Sequence, residues 1–397
     1  MSPLSRRELL RRGALATAGA AIGARGLHAW AQRDDDLAFF IISDTHMLAD
    51  ATMPSRVDAE RFAMNERLID LLNTLPGQPL PSSLGGGVVQ RPRVVLHLGD
   101  IADSGDKRDA THDAMTRTEF VAHASLYGVT GTDGRLRYPL YEIHGNHDTP
   151  RGRNVTIDGL LARHAKRSGL TRRSANGLHY SWDWNGIHFI ALGIVVGDNA
   201  DGRPISRYGA WDSLLFLIDD LRLSVGTSGR PVVIVHHVDL QRYAQPFDTE
   251  PTGGSRAICC EGMARIAWHS ADCPHHADGI SSNEWSAGDV HAYHRALEGY
   301  RVVAIFHGHL HARRTDVWTG TAVAPLGSAP GIPVFGVKNA GAGGDNRAFF
   351  YCRIEDDALV VREYQSIGER GWDRAHADVH WNPEMWRVPL HAKEPTV

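Results

Sequence analysis

The chain has 397 residues, 42% of them apolar and 22% charged, an ordinary globular composition that excludes an intrinsically disordered protein. A net charge of −4 gives no basis for a nucleic-acid partner or an anionic membrane surface. The length suits one large domain or two ordinary ones, and 23 histidines, several beside Asp or Gly, direct attention to metal chemistry.

The N-terminus reads as a targeting segment. Ser5-Arg6-Arg7-Glu8-Leu9-Leu10-Arg11 carries paired arginines, Gly13–Ala24 is small and apolar, and Ala29-Trp30-Ala31 places small residues where a signal peptidase reads them. The arginine pair resembles a twin-arginine signal, which makes the twin-arginine export machinery a partner and the periplasm or the exterior the destination. The apolar run is short and rich in Gly and Ala for a membrane span, so no stable anchor is expected after cleavage. Residues 1–31 are therefore set apart from a domain over 32–370, and 371–397 are expected to pack back on it as a tail.

Leu37–Ile42 is a continuous apolar run, as expected for a strand covered on both faces, and Ser43-Asp44-Thr45-His46 follows it. Arg56–Leu72 has helical spacing of Phe62, Leu68, Ile69 and Leu72, and Pro76–Pro92 reads as a surface loop. Val94–Leu98 is a second buried strand ending in Gly99-Asp100, and Thr111–His123 is helix-like. Tyr138–His144 is a third strand, leading into Gly145-Asn146-His147-Asp148. Ile187–Leu192 is a strand and Trp211–Leu223 a helix. Val232–Val235 then ends in His236-His237, and Val302–Phe306 in His307-Gly308-His309-Leu310-His311. Residues 240–290 are irregular, while Phe349–Ile354 and Leu359–Tyr364 flank Glu355-Asp356-Asp357 as a hairpin.

Five apolar strands thus end in metal-capable residues: Asp44 and His46, Asp100, Asn146, His236, and His309 with His311. In layered α/β proteins, sites form at the carboxyl ends of strands, so groups distant in sequence can meet there. Seven such groups exceed one tetrahedral ion and suit two ions sharing a carboxylate. Ions roughly 3.5–4 Å apart polarise a bridging water to hydroxide and neutralise phosphoryl charge during in-line displacement. Glycines before Asp100, Asn146 and His309 are expected to allow sharp turns at the site.

As an ordered set, Asp44-Thr45-His46, Gly99-Asp100, Gly145-Asn146-His147-Asp148, His236 and Gly308-His309-Leu310-His311 resemble the signature of the calcineurin-like metallophosphoesterase superfamily. The resemblance implies a four-layer α-β-β-α sandwich, two facing mixed β-sheets flanked by helices. It implies two metal ions (Mn, Fe, Zn or Co): one on Asp44, His46 and His311, another on Asn146, His236 and His309, with Asp100 bridging. It makes His147, oriented by Asp148, the group that stabilises the phosphoryl or protonates the leaving oxygen. The chain then hydrolyses a small-molecule phosphate mono- or diester. The competing class is an exported metal-containing binding protein of the same fold without turnover. Purple acid phosphatases carry a tyrosine three residues after the bridging aspartate; here that residue is Asp103, which argues against an iron–tyrosinate site.

Arg151 and Arg153, just after Asp148, and Arg313 and Arg314, just after His311, are candidates for holding substrate oxygens. In an oxidising compartment, one disulfide from Cys273 to Cys259 or Cys260 would brace the 240–290 insertion, with buried thiols as the alternative.

Overall fold

The computed structural model describes residues 37–107, 109–148, 154–193, 213–240, 287–320, 322–341 and 344–391. The expected targeting segment, Arg151, Arg153 and the three insertion cysteines lie outside them. A six-stranded sheet has the spatial order β16 (Asp378–Pro389), β15 (Ala358–Ile367), β14 (Asn346–Glu355), β1 (Ala38–Ile42), β4 (Val94–His97), β5 (Leu140–Glu142). Its β1, β4 and β5 run parallel, and β14 to β16 are antiparallel additions.

The facing eight-stranded sheet has the order β12 (Val323–Pro325), β11 (Arg314–Trp318), β13 (Ile332–Gly336), β10 (Val302–His307), β9 (Val232–Val235), β8 (Ile187–Ala191), β7 (Tyr180–Trp184), β6 (Leu170–Arg173). Strands β8, β9, β10 and β13 are parallel. A small hairpin, β2 (Ala49–Asp50) with β3 (Met53–Val57), stands apart.

Strand alternation builds the layers. Phe39 and Ile41 of β1 face Phe189, Val233, Val235 and Phe306 across the space between the sheets. The other parity of β1, Phe40 and Ile42, packs outward on Leu68, Ile69 and Leu72 of α1 (Ala59–Thr74) and on Leu126 and Tyr127 of α2 (Ala110–Tyr127). After α3 (Val155–Ala165) come α4 (Ser213–Asp220) and α5 (Ala287–Leu297), which cover the far face: Leu214, Leu217, Tyr293 and Leu297 pack on Ile190, Val232 and Ile234. Helix, sheet, sheet, helix is the expected four-layer architecture.

Local chemistry sets the ends of these elements. The Asp58 and Asp109 side chains accept from the N–H groups of Arg61 and His112 and so cap α1 and α2. The β14–β15 hairpin turns through Asp356 and Asp357, both at positive φ (44° and 67°), the conformation a tight two-residue hairpin requires. Residues expected as a C-terminal tail include a strand, since 378–389 form edge strand β16, and Trp372 is buried with its indole N–H on the Ala340 carbonyl. No helix among the described residues is long and apolar enough to cross a membrane.

Candidate metal centre

Loops after β1, β4, β5, β9 and β10 meet at one edge, where the two sheets deliver their carboxyl ends. Five of their residues sit in the left-handed backbone region: Asp44 (φ 54°), His46 (41°), Asp100 (53°), His309 (70°) and His311 (52°). Such conformations are uncommon for these residues and cost about 1–3 kcal/mol each, so packing and hydrogen bonds around them must enforce them. Asp44 and His46 are therefore not on an extended segment, yet their side chains still converge.

The side chains form two adjoining groups. In one, His311 Nε2 lies 3.2 Å from Asp44 Oδ1 and 3.2 Å from His46 Nε2. In the other, Asn146 Oδ1 lies 2.7 Å from His309 Nδ1 and 2.9 Å from His237 Nε2. Asp100 stands between them, its Oδ2 at 3.5 Å from His46 Nε2 and 3.2 Å from His237 Nε2. Asp44, Asp100, Asn146 and His237 are all buried.

The charges of this arrangement act on one another. Burial opposes ionisation of Asp44, but the His311 hydrogen bond and the His237 charge hold it well below the ordinary carboxylate range. Asp100 is likewise held low against burial by His237 and His147. Burial would lower His237, yet Asp100 pushes it up to about 10. Carboxylates, imidazoles and an amide oxygen converging on shared points are a donor set that fits borderline cations.

Two expectations are corrected here. His237, not His236, joins the centre. Its ring nitrogens reach the Leu98 carbonyl (2.7 Å) and Asn146, whereas His236 packs beside Tyr293 (5.6 Å between ring centroids) and His307 on the helix-facing side. Strand parity is the reason: Val233 and Val235 face the space between the sheets, so 237 continues toward the centre and 236 away from it. That signal was available in the sequence.

Asp148, for its part, does not orient His147. Its carboxylate accepts instead from backbone N–H groups of Ile101 (3.0 Å), Ala102 (2.8 Å) and Gly145 (2.7 Å). Burial and the Asp100 charge push Asp148 up to about 7, against the pull of those donors. His147 Nδ1 donates to the Asp103 carbonyl (3.0 Å) and lies 3.6 Å from Asp106 Oδ1. Burial would lower His147, but Asp100 and Asp106 raise it. Asp103, read from sequence only as a non-tyrosine, also places Oδ1 3.1 Å from His46 Nδ1.

The arginine candidates after His311 turn elsewhere. Arg313 lies 3.1 Å from Glu384 and 3.5 Å from Glu363, with its guanidinium over Trp386. Arg314 opens β11 opposite Gly336, with Nε buried. Close approach, rather than a turn, explains two of the glycines. A Cβ at Gly145 would fall 2.2 Å from Asp100 Oδ1, and one at Gly308 would fall 2.0 Å from Ser43 Oγ and 2.5 Å from Asp44 Oδ2.

The calcineurin-like phosphoesterase family model matches residues 37–313, and the chain belongs to that family. No curated protein matches it in sequence. Solved structures similar to it include a dimetal phosphatase from Danio rerio, at 13% identity over 89% of this chain and 99% of that one, TM-score 0.45. Others are GAP50, the anchor in the inner membrane complex of Plasmodium (9%, 90% and 90%, TM-score 0.41), and phosphopantetheinyl hydrolase from Mycobacterium tuberculosis (12%, 78% and 92%, TM-score 0.31).

Proposed function

We propose that the chain is an exported, metal-dependent hydrolase of phosphate mono- or diesters. The observation that carries this reading is the position of Asp100 Oδ2, within 3.5 Å of His46 Nε2 in one group and 3.2 Å of His237 Nε2 in the other. Asp44, His46 and His311 would hold one cation, and Asn146, His237 and His309 a second, with Asp100 shared. Two cations in such a site lower the pKa of water and offset charge on a phosphoryl group.

The protein's own groups supply the rest. His147 is half-buried at the rim of the centre and keeps a proton at Nδ1 on the Asp103 carbonyl. The carboxylates of Asp100 and Asp106 favour its imidazolium form, so a second proton at Nε2 can pass to a departing oxygen. The family membership and the donor set support hydrolysis; the paired arginines and the A-x-A exit at 29–31 support twin-arginine export.

Asp100→Asn tests the reading. Mature protein reconstituted with Mn(II) is expected to hydrolyse an aryl phosphate or a bis-aryl phosphate, and the variant to lose turnover while keeping its circular dichroism and melting temperature. A fully active Asp100→Asn protein would overturn it. Export is tested separately by the periplasmic fraction of the full chain, which replacement of Arg6 and Arg7 by Lys should abolish.

A further inference from the structure

Four consecutive backbone N–H groups follow the end of β4, from Ile101 to Ser104, and two buried carboxylates accept from all four, sharing that of Asp103 with the Met47 carbonyl. Asp148 Oδ1 accepts from Ile101 (3.0 Å) and Ala102 (2.8 Å). Glu119, from α2, accepts from Asp103 (3.1 Å) and Ser104 (3.0 Å) through Oε2. Both acids are fully buried. The carbonyls of the same stretch point the other way: Gly99, Asp100 and Ile101 accept from Asp44, His46 and Met47, which zips the β1 loop onto the β4 loop. Glu119 Oε1 closes the arrangement by accepting from Ala49 (3.0 Å) and the Ser104 hydroxyl (2.8 Å).

We propose that Glu119 and Asp148 are positioning residues, a carboxylate clamp that fixes the 100–104 backbone and, through it, the metal-facing groups of Asp100, Asp44 and His46. The proposal rests on the metal-centre reading above. Its physical basis is that the buried N–H groups of Ile101, Ala102 and Ser104 need acceptors, and a carboxyl group, with two oxygens of two lone pairs each, can satisfy several of them at once. Glu119 touches none of the proposed metal-holding side chains, yet it governs Asp103, whose side chain meets His46 and whose carbonyl meets His147. Ser104 lies beyond the strand, and nothing in the spacing of motifs marks an acid on α2 as its partner.

The test uses the full mature chain as wild type, Glu119→Gln and Asp148→Asn. Residue-resolved amide hydrogen exchange reads the clamp, Mn(II) titration the site, and aryl phosphate kinetics the split between kcat and KM. Glu119→Gln is expected to speed exchange at Ser104 and leave Ile101 and Ala102 protected, and Asp148→Asn to do the reverse. Asp103 also donates to Met47, so Ser104 is the cleaner reporter. Both variants should bind Mn(II) roughly 10–100-fold more weakly, the range for residues that orient ligands, and lose kcat with KM little changed.

Unchanged exchange, or wild-type Mn(II) affinity and kcat in the folded fraction, would overturn the clamp. If the wild type itself binds no Mn(II), the metal reading fails while the exchange pattern still judges the clamp. Should Glu119→Gln not fold, Ser104→Ala removes only the hydroxyl donor. It should give a smaller change in the same direction, and no change would count against the proposal.

Discussion

His237 Nε2 lies 3.2 Å from Asp100 Oδ2, while the neighbouring His236 ring stacks toward His307 on the other face of the sheet. Two adjacent histidines therefore have separable roles, and substitution distinguishes them. His237→Ala is expected to lower Mn(II) affinity and kcat by more than about 100-fold, since changes behind a ligand already cost 10–100-fold. His236→Phe should retain both, with a modest loss of stability. Equal losses of metal from the two variants in titration would reverse the assignment.

Gly308 admits no side chain, because a Cβ there would overlap Ser43 Oγ and Asp44 Oδ2. Gly308→Ala should therefore displace Asp44 and also strain the buried loop. The expected overpacking penalty is about 1–3 kcal/mol in a denaturant melt. Metal content measured on the folded protein should fall well below two ions per chain. Full occupancy together with unchanged stability would show that the loop yields more easily than this packing implies.

The core between the sheets offers the opposite control. Phe189 is fully buried, stacks on Trp182 with ring centroids 5.3 Å apart and meets Phe39 of the other sheet edge-on at 5.7 Å. Phe189→Ala should destabilise by about 3–5 kcal/mol, as large-to-small changes in close-packed cores do. It should leave kcat of the folded fraction intact, because Phe189 supports the sheet interface and not the ligand-bearing loops. A fall in kcat at full folding would mean that the sheet spacing itself sets the site.

Much of this was legible in the sequence because the central strands are apolar on both faces, so runs such as Phe39–Ile42 and Val232–Val235 mark themselves. Their polar ends then expose the donors. The peripheral strands were less visible: β6 reads Leu-Thr-Arg-Arg and β16 mixes Asp, His, Asn and Glu with its apolar residues, since each is an edge with one side in solvent. Adjacency also misled at His147-Asp148, where consecutive side chains diverge and the carboxylate serves backbone N–H groups of another loop. Glu119 left no trace because all but one of its partners, the Ser104 hydroxyl, are main-chain N–H groups, which carry no residue signature.

His97 links the site's scaffold to pH. Gly99 N–H donates to its Nδ1 (3.2 Å), so that nitrogen is unprotonated, and Nε2–H donates to Thr45 Oγ1 (2.8 Å). The ring is neutral and fully buried, and burial holds its pKa down to about 4. An unfolded histidine titrates near 6.5. Between those values the unfolded chain binds a proton that the folded chain refuses, so stability falls as pH falls from about 6.5 to about 4 and is insensitive to this group outside that window. At about 1.4 kcal/mol per pKa unit, the full loss from His97 is roughly 3 kcal/mol. Urea melts of chelator-treated protein, wild type against His97→Gln, isolate the effect, since other buried histidines contribute equally to both. The variant should lose roughly 3 kcal/mol less than the wild type across the window. A His97 imidazole seen by NMR to titrate near 6.5 in the folded protein would refute the buried neutral tautomer and the slope derived from it.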